Sequence, residues 1–559
     1  MKFDEPSKKK LMNERFLQLI ENSTRNYWNL PAYSDYNGKT YYFRDVAEQI
    51  AKYHILLELL DIKKGDKVAL VGRNSSHWAM AFFGTLSYGA VIVPILHDFK
   101  PDNIHHIVNH SESKLLLSGD VVWENLSASE MKKLKGMFRL DRVFGEEAPE
   151  PELGLLLKKR EEIFKKRFKE FCPAVIRYHV EKPEELAVLS YTSGTTSMSK
   201  GVMVPYRSLW SNIRFAIDNL EYIHPGDHIV CMLPMAHMYG LAFEVLNAYA
   251  KGCHVHFLTR TPSPKIIAES FAQVKPILIL AVPLIIEKIV RNKIFPMLEK
   301  PVTRFLLKFP LIDKTIYGMV RKKMVEAFGG VFEEVVIGGA ALNRDIENFL
   351  KLINFPYTVG YGMTECGPLI SYTPWRNFRA ASVGKVVDRM EVCVDSADPE
   401  RIVGELRVRG TNVMLGYYKN PEATKAVFTR DGWMKTGDLG LIDKNGNVFI
   451  KGRNKSMILG PSGQNIYPEE IEGQLNNMDY VNESLIVEKD GRLTALINPD
   501  WAMIDEAKIP LQNVEKLMLD NIKALNKMLP AFSQVANLKL YQEEFDKTPK
   551  RSIKRYLYQ

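Results

Sequence analysis

Residues 191–201 read YTSGTTSMSKG and bring hydroxyl side chains, glycine and a lysine into one short stretch. Backbone N–H groups and Ser or Thr hydroxyls donate hydrogen bonds to phosphate oxygens, and the ammonium group of Lys200 neutralises phosphate charge. The strand-like segment LAVLSYT comes before the stretch, and an amphipathic helix comes after Gly201. The pattern predicts a phosphate-binding loop, and an ordinary polar turn is the alternative for these residues taken alone.

Two known phosphate-binding patterns do not fit this loop. A P-loop requires G-x-x-x-x-G-K-[ST], but Ser199 stands where its second glycine would be and Gly201 follows Lys200. The dinucleotide-binding pattern G-x-G-x-x-G is absent from the stretch as well. The loop therefore belongs to neither class.

Four further motifs follow in order along the chain: YGMTECGP at 361–368, GELRVRG at 404–410, DGWMKTGDLG at 431–440 and KGRNKSMI at 451–458. Together with YTSGTTSMSKG they resemble the signatures of the adenylate-forming superfamily, which includes acyl-CoA synthetases, firefly luciferases and the adenylation domains of peptide synthetases. The resemblance runs from about residue 40 to the C-terminus. LPMAHMYGLAFE at 233–244 and GGVFEEVVIGGAAL at 329–342 look most like long-chain fatty acid–CoA ligases.

The resemblance implies a reaction in two halves. A carboxylate attacks the α-phosphorus of ATP, which gives an acyl-adenylate and pyrophosphate. The thiol of coenzyme A then attacks the acyl carbon and releases AMP. Because negative charge develops on phosphate oxygens, cations and hydrogen-bond donors held in place supply most of the catalysis. The implied substrates and cofactors are a fatty acid, ATP, Mg²⁺ and coenzyme A.

The resemblance also implies roles for single residues. Thr192 and Glu365 would hold Mg²⁺, since hard oxygen ligands suit this ion, and Thr364 would contact the α-phosphate. Asp438 would accept hydrogen bonds from both ribose hydroxyls, with support from Arg453. The other nucleotide-binding candidates lie in the loop or against adenine, and they are Ser193, Gly194, Thr195, Thr196, Lys200, Gly339, Gly360, Tyr361, Gly362 and Met363.

Three further candidates concern the acyl group and the movement between half-reactions. His237 falls where the superfamily places a residue between the acyl pocket and the adenylate, although a hydrogen-bonded core histidine is the alternative. Lys455 matches the hinge about which a small C-terminal domain swings. Gly463 looks like the glycine that lines the thiol tunnel.

The C-terminus departs from the superfamily pattern. That pattern is similar to K-T-x-x-G-K-I-x-R, and its second lysine serves adenylation. When KTPKRSIKRY at 547–556 is aligned with it, Ser552 takes the place of this lysine. A cation about 4 Å from a developing charge contributes roughly 4 kcal/mol at an effective dielectric constant of about 20, so its loss should slow adenylation. Lys550 and Lys554 are the candidates to replace it, and a merely basic tail is the alternative.

The hydrophobic patterns indicate an α/β protein that positions these motifs. DKVALVG, SSHWAMAFFGTLSYG and AVIVPI at 66–95 predict a strand, a helix and a strand, which implies a parallel sheet. Similar strands are predicted within 228–235, 253–258, 276–283 and 333–342. The expected fold is a large N-terminal domain of doubly wound sheets with a small β-rich subdomain, followed by a small mobile α+β domain.

The pattern changes after about residue 400. GELRVRG alternates like a half-buried antiparallel strand, and KNG at 444–446 predicts a hairpin turn. A helix from Pro468, a hairpin at 490–491 and a helix over 513–529 are expected further on. We therefore predict an AMP-binding domain over residues 1–453 and a mobile domain over residues 454–559.

Composition narrows the class of protein. The chain has 559 residues, a net charge of +9 and five cysteines without a C-x-x-C pair, which favours a reducing compartment and gives little support to nucleic-acid binding. MKFDEPSKKK lacks the apolar core of a secretory signal, and PILILAVPLII is too short to span a bilayer. The expected location is the cytoplasm, and the oligomeric state stays open.

Two segments stand apart from the motifs. Residues 141–172 are charge-dense, and we expect a solvated helical excursion there. Residues 288–323 carry ten basic and two acidic residues interleaved with apolar ones. This segment could cover an acyl pocket or rest peripherally on an anionic membrane, and a pair of amphipathic helices packed on the core is an equal alternative.

The expected function is an AMP-forming ligase that joins a medium- or long-chain fatty acid to coenzyme A. One alternative keeps the fold but loads the acyl group onto an acyl carrier protein. Another is a nucleotide-binding family member with weak adenylation, because Ser552 replaces the usual lysine. Glu365, Asp438 and Arg453, which match the superfamily, argue against the last alternative.

Overall fold

The structure is a computed structural model, and it describes residues 14–145, 150–192, 200–259, 264–309, 311–459, 464–489, 491–548 and 553–559.

The first part of the chain alternates strands and helices up to residue 205. Its strands are β1 (Pro31–Asp35), β2 (Thr40–Tyr42), β3 (Lys67–Val71), β4 (Val91–Ile95), β5 (Leu115–Ser118), β6 (Gly136–Arg139), β7 (Leu186–Thr192) and β8 (Lys200–Pro205). Its helices are Phe16–Asn26, Phe43–Leu59, Ser76–Tyr88, Pro101–Ser111, Asp120–Trp123, Leu140–Val143 and Pro151–Arg167.

The second part continues the alternation up to residue 360. Its strands are β9 (His228–Cys231), β10 (His254–Phe257), β11 (Leu278–Ala281), β12 (Glu334–Ile337) and β13 (Tyr357–Val359). Its α-helices are Tyr206–Asn219, Met238–Gly240, Asn247–Ala250, Pro264–Val274, Pro283–Ile289, Phe295–Leu298, Pro301–Leu306, Ile312–Ala327 and Arg344–Leu352. The segments Leu241–Leu246 and Val290–Ile294 are π-helical.

The third part is rich in short strands up to residue 453. They are β14 (Tyr361–Gly362), β15 (Leu369–Tyr372), β16 (Lys385–Val386), β17 (Met390–Asp395), β18 (Gly404–Gly410), β19 (Gly416–Tyr417), β20 (Met434–Ile442) and β21 (Val448–Arg453), with a helix at Pro421–Val427. Strands β17, β18, β20 and β21 form an antiparallel sheet. This is the small β-rich subdomain that the sequence predicts.

Two seven-stranded sheets form the large body within the described residues. One has the strand order β19-β8-β7-β4-β3-β5-β6, and the other has the order β13-β12-β11-β9-β10-β1-β2. Strands β3 to β6 run parallel, as do β9 to β13. Non-consecutive neighbours joined by helices are the mark of a doubly wound α/β fold, so the predicted fold class is confirmed.

The first strand–helix–strand unit shows why the sequence folds in this way. The Ser75 hydroxyl accepts a hydrogen bond from the Trp78 N–H at 3.2 Å and begins helix Ser76–Tyr88. Gly89, with φ of 91°, ends it in the left-handed conformation that glycine adopts without strain. The helix is almost entirely buried because it is apolar on every side. The prediction for this unit is confirmed.

The C-terminal part forms its own apolar core. Its strands are β22 (Ile458–Leu459), β23 (Asn465–Ile466), β24 (Val481–Lys489), β25 (Arg492–Pro499) and β26 (Asn537–Leu540), with helices Pro468–Leu475, Trp501–Glu506 and Leu511–Met528. Leu475, Met518 and Leu525 are among the buried residues of a cluster formed by this part of the chain alone. The predicted helices and hairpin are confirmed, and the boundary at 453/454 stays a prediction.

Two expectations for local structure need correction. The helix expected after Gly201 is confirmed over Tyr206–Asn219, but residues 200–205 before it form β8, a strand that was not predicted and that pairs antiparallel with β7. The charge-dense segment is helical over Pro151–Arg167 but is not wholly solvated. Leu153 and Phe164 are buried, and Lys52 on the neighbouring helix lies 5.1 Å from the Phe164 ring centroid.

The segment 288–323 forms a series of short helices and the first three turns of Ile312–Ala327. One face packs into the core through Val290, Ile294, Ile316 and Val320. The opposite face leaves large apolar side chains in solvent. Across the described chain, the helices are too short or too polar to cross a bilayer.

Candidate active site

The carboxyl ends of the parallel strands place three predicted residues along one edge of the second sheet. His237 follows β9, Gly339 follows β12 and Gly360 follows β13. The Gly360 N–H donates to the Ile337 carbonyl at 2.9 Å and so ties the last two strand ends together. Ligand sites of open parallel sheets form at such an edge.

Two of the predicted glycines are required by the protein's own geometry. Gly339 has φ of 88°, and a Cβ there would meet only Val282 Cγ1, at 3.8 Å. Glycine is favoured at this position because of the positive φ angle, and not because a side chain would be crowded by the protein. A Cβ on Gly362 would lie 2.3 Å from the Pro368 carbonyl oxygen, so no side chain fits there.

The carboxylate of Asp438 is held by two neighbours, and we name Tyr361, Asp438 and Arg453 the Asp438 cluster. The Tyr361 hydroxyl donates to Oδ2 at 2.6 Å, and Arg453 Nε lies 3.1 Å from Oδ1. Asp438 and Arg453 face each other across β20 and β21. Burial raises the pKa of Asp438, and Arg453 and the Tyr361 hydroxyl partly oppose that rise.

The two residues of β20 that precede Asp438 fix its backbone. The Thr436 hydroxyl donates to the Leu406 carbonyl at 2.8 Å and accepts a hydrogen bond from the Asp438 N–H at 3.1 Å. Gly437 has φ of 75°, a conformation that suits glycine. The backbone conformation of the TGD motif therefore sets the direction of the Asp438 side chain.

Glu365 belongs to a second cluster, which we name the Glu365 cluster and which also contains Tyr417 and Lys200. The Tyr417 hydroxyl donates to Glu365 Oε1 at 3.0 Å. The Lys200 ammonium lies 4.8 Å from the centroid of the Tyr417 ring, a cation–π contact. Thr192 is opposite Lys200 in the β7–β8 ladder. Sequence reasoning missed Tyr417, whose two partners in this cluster, Glu365 and Lys200, lie far from it along the chain.

Met363 and Thr364 lie in the turn between β14 and β15. The Met363 N–H donates to the Pro368 carbonyl at 2.9 Å, and Thr364 begins the single turn Thr364–Cys366. The Glu365 carbonyl accepts a hydrogen bond from the Met414 N–H at 2.8 Å. The motif YGMTECGP is thus a tight turn anchored to the start of β19.

His237 is half-buried and begins the short helix Met238–Gly240. Its neighbour Tyr239 donates a hydrogen bond to the Val336 carbonyl at 2.9 Å. The Tyr239 ring would meet a Cβ on Gly338 at 3.1 Å. The loop after β9 therefore packs on the end of β12, which brings His237 to the same edge as Gly339.

Glu244 is a buried carboxyl beneath this loop that sequence reasoning missed. It lies in the π-helical segment Leu241–Leu246, and its Oε2 accepts a hydrogen bond from the Leu233 N–H at 3.1 Å. Burial raises its pKa well above the ordinary value, because the apolar surroundings disfavour the charged carboxylate. It anchors the start of the loop that carries His237. The sequence signal that could have revealed Glu244 is the presence of a glutamate inside an otherwise apolar run.

Lys455 is exposed in the turn Asn454–Ser456, directly after β21. Two pairs of side chains join the large body, which precedes Lys455, to the C-terminal part, which follows it. Lys451 Nζ lies 3.1 Å from Glu470 Oε1, and Asn477 Nδ2 donates to Asp345 Oδ2 at 2.9 Å. The hinge role of Lys455 stays a prediction.

The described residues of the tail are held by ion pairs. Lys547 Nζ lies 2.9 Å from Glu483 Oε2. Arg555 pairs with Glu472, a carboxyl whose pKa burial raises to about 7 although Arg555 opposes that rise. Lys554 is half-buried, and its N–H donates to the Asp546 carbonyl at 2.8 Å.

Several predicted residues lie outside the described residues. They are Ser193, Gly194, Thr195 and Thr196 of the loop, Gly463 of the predicted tunnel, and Lys550 with Ser552 of the tail.

Comparison with known proteins agrees with this geometry. The sequence model of the family called AMP-binding enzyme matches residues 20–418, which is more than half of the chain. The chain therefore belongs to the AMP-binding enzyme family and is an adenylate-forming enzyme.

Characterised relatives are similar over most of the chain. A long-chain-fatty-acid–CoA ligase of Escherichia coli O157:H7 is 27% identical over 495 residues, which cover 82% of this chain and 80% of the relative. The 4-coumarate–CoA ligase CCL1 of Humulus lupulus is 26% identical over 550 residues, with 93% and 88% covered.

A solved structure has the same fold. ATP-bound MatB from Rhodopseudomonas palustris superposes with a TM-score of 0.75 at 21% identity and covers 97% of this chain and 98% of its own.

Proposed function

We propose that this chain is an AMP-forming ligase that activates a medium- or long-chain fatty acid as an acyl-adenylate and transfers the acyl group to coenzyme A. The observation that carries the proposal is the pair of clusters around Asp438 and Glu365 in an AMP-binding enzyme. The fatty-acid class is supported by relatives named long-chain-fatty-acid–CoA ligases.

The proposed reaction breaks and forms two bonds in each cycle. A carboxylate oxygen of the fatty acid bonds to the α-phosphorus of ATP, and the bond from that phosphorus to the bridging oxygen breaks, so pyrophosphate leaves. The sulfur of coenzyme A then bonds to the acyl carbon, and the bond from that carbon to the AMP oxygen breaks. AMP leaves with the electron pair, and the thiol proton passes to solvent.

The Asp438 cluster would bind the ribose. A carboxylate offers about four acceptor positions, so the hydrogen bond from Tyr361 and the contact with Arg453 leave capacity for two hydroxyl donors. Burial keeps the carboxylate in one orientation, since Asp438 is 5% exposed. Gly339, Gly360 and the turn at 361–363 would lie against adenine at the adjoining edge of the sheet.

The Glu365 cluster would bind the phosphates. The Glu365 carboxylate and the Thr192 hydroxyl are hard oxygen donors, so they fit Mg²⁺, and the ion would neutralise charge on the phosphate oxygens. The Tyr417 hydroxyl donates to Oε1 and orients the carboxylate, so that Glu365 would remain available to hold the ion. Lys200 and Thr364 would contact phosphate oxygens directly.

His237 and the C-terminal part would serve the acyl group and the second half-reaction. His237 would separate the acyl pocket from the adenylate. We also propose that residues 454–559 move as a domain about Lys455 and that Gly463 then lines the path of the thiol. The separate apolar core of the C-terminal part supports this division.

We further propose that the exposed part of the segment 288–323 rests on an anionic membrane. Its large apolar side chains that are at least 40% exposed are Val302, Phe305, Phe309, Leu311, Ile312 and Met319. The segment 288–323 carries ten basic and two acidic residues, and such a positive balance is attracted to anionic lipids.

Co-sedimentation with vesicles tests this surface. We expect binding to vesicles that contain phosphatidylserine, and weaker binding by Phe305→Ser. Leu155→Ser, which removes a side chain that is 73% exposed elsewhere, is the matched control. Equal binding by all three proteins would remove this part of the proposal.

Product analysis tests the main proposal. The purified protein is incubated with ATP, Mg²⁺ and coenzyme A, and each fatty acid of a medium- to long-chain series is added in turn. We expect acyl-CoA, AMP and pyrophosphate in equal amounts. Turnover of aryl or dicarboxylic acids without turnover of any fatty acid would overturn the substrate class and leave the reaction class standing. Transfer to a carrier protein but not to coenzyme A would favour the carrier alternative.

The replacement of the adenylation lysine by Ser552 needs a separate test. Fatty-acid-dependent exchange of labelled pyrophosphate into ATP, without coenzyme A, isolates the first half-reaction. Wild type is compared with Lys550→Ala and Lys554→Ala, and Lys539→Ala is the control. Strong exchange that is lost in one variant would assign the role to that lysine. Background exchange in wild type, with thioester formed from a synthetic acyl-adenylate, would favour weak adenylation.

A further inference from the structure

Three histidines meet at the end of the second sheet that faces away from the candidate active site. One ring nitrogen each of His228, His254 and His256 lies within 4.8 Å of the others. His228 Nδ1 and His256 Nε2 are 3.0 Å apart, and the ring centroids of His254 and His256 are 4.0 Å apart. We name these residues the histidine cluster.

The register of two parallel strands creates this cluster. His228 begins β9 and His254 begins β10, and the two residues are direct partners in the ladder. His256 is two residues after His254, so both side chains point to the same face of the sheet. The cluster lies at the amino ends of β9 and β10, whereas His237 and Gly339 follow the carboxyl ends of parallel strands. The cluster is therefore distinct from the nucleotide site.

The geometry suits a transition-metal ion. A tetrahedral Zn²⁺ with bonds of about 2.0–2.1 Å to nitrogen places two ligand nitrogens about 3.3 Å apart. The separations in the cluster, from 3.0 Å to within 4.8 Å, bracket this value, so small changes of side-chain torsion bring all three nitrogens to one ion. A set of three imidazoles suits Zn²⁺, Cu²⁺ or Ni²⁺, whereas Mg²⁺ and Ca²⁺ favour oxygen donors.

The residues around the histidine cluster hold its imidazole rings in a state that suits metal binding. His254 is 8% exposed, and Ser34 Oγ, itself 2.7 Å from Thr40 Oγ1, lies 2.8 Å from its Nε2. Such a contact orients an imidazole ligand. A neutral imidazole offers a ring-nitrogen lone pair to a metal.

We infer that His228, His254 and His256 bind one borderline divalent transition-metal ion of the Zn²⁺ class. His228 is exposed, so the ion enters from solvent, and water completes the coordination as in three-histidine zinc sites. Because the ligands come from two neighbouring strands, the ion joins the amino ends of β9 and β10, and its binding stabilises the folded protein by an amount that rises with the logarithm of the free ion concentration above Kd.

Calorimetric titration of Zn²⁺ into the full-length, untagged protein tests the site. We expect one ion per chain and a thermal midpoint that rises with Zn²⁺ concentration. His228→Ala removes an exposed ligand without opening the core, and we expect it to weaken the affinity about 100-fold or more, since even second-shell changes cost about 10–100-fold. The absorption spectrum of Co²⁺ bound at the same site reports the coordination geometry directly.

Two control variants separate this site from other surface histidines. His224→Ala changes an exposed histidine near the cluster that is paired with Asp227. His106→Ala breaks the stacked pair His106–His110 in the helix Pro101–Ser111. We expect both variants to bind Zn²⁺ as wild type does. The inference is overturned if wild type binds no Zn²⁺, if His228→Ala binds as tightly as wild type, or if either control loses the ion instead.

Discussion

Asp438 and Glu365 are two carboxylates of one candidate site, yet the structure holds them in different ways. Asp438 lies in a strand, is 5% exposed and has a partner on each oxygen, Tyr361 and Arg453. Glu365 lies in a short turn, is half-buried and receives a hydrogen bond on Oε1 from Tyr417.

The difference follows from the backbone around each group. The β20–β21 ladder places Asp438 directly opposite Arg453, so its position is fixed by many backbone hydrogen bonds. Glu365 is anchored through its own carbonyl to Met414 and through one tyrosine side chain. A rigid buried carboxylate suits neutral hydroxyl donors, whereas a more open one can adjust to an ion and its water. We therefore propose that the two carboxylates have different tasks, with the buried Asp438 for hydroxyl donors and the more open Glu365 for the ion.

Asp438→Asn breaks the first half of the comparison and should have the largest effect. The variant keeps the shape but removes the charge, and two hydrogen bonds to a charged acceptor contribute about 1.5 kcal/mol each. We expect kcat/KM for ATP to fall about 100-fold, measured by steady-state kinetics. Asp395→Asn, which affects an exposed ion pair with Arg407 on the same sheet, should change it little. A folded Asp438→Asn variant with near wild-type kcat/KM would contradict the ribose role.

Glu365→Gln breaks the second half. A neutral amide is a weaker ligand for Mg²⁺ than a carboxylate, and a loss of about 2 kcal/mol corresponds to about 30-fold in kcat/KM. We also expect half-maximal activity to require more Mg²⁺, measured by titration at fixed ATP. The control is Glu391→Gln, which affects an exposed pair with Arg409. An unchanged Mg²⁺ requirement would remove Glu365 from the ion.

Two tyrosine variants sharpen the comparison. Tyr361→Phe and Tyr417→Phe each remove one hydrogen bond, worth about 1 kcal/mol, so each should lower kcat/KM about fivefold. We expect Tyr361→Phe to raise KM for ATP and Tyr417→Phe to raise the Mg²⁺ requirement. Tyr418→Phe, next to Tyr417 in the sequence, should do neither. The same kinetic change in both variants would mean that the clusters do not divide the work.

The smallest effect concerns stability and pH. Burial raises the pKa of Asp438 above its ordinary value of 3.8, so the folded protein favours the protonated group. The contribution to stability is fully present below pH 3.8 and is lost as the pH rises through the raised pKa. We therefore expect Asp438→Asn to melt above wild type at neutral pH and to lose this advantage in acid, measured by thermal unfolding. A variant that melts below wild type at neutral pH would contradict this sign.

The local sequence pattern was sufficient to predict most of the helices and strands, but it was insufficient to predict β8. The helix Ser76–Tyr88 and the strands beside it follow from hydrophobic periodicity and a terminal glycine, which are local signals. Strand β8 (Lys200–Pro205) was not predicted, because KGVMVP is short and owes its strand form to pairing with β7. Only the neighbouring strand distinguishes such a segment from the start of a helix.

The sequence by itself determined the α/β class, the order of the motifs and, through them, the reaction class. These features depend on residue spacing along the chain, which a sequence displays directly. The tertiary structure alone decided that Tyr417 meets Glu365 and Lys200, that Tyr361 meets Asp438, and that His228 meets His254 and His256. The physical reason is that strand order and register set these contacts, and both arise from packing between segments that are distant in the sequence.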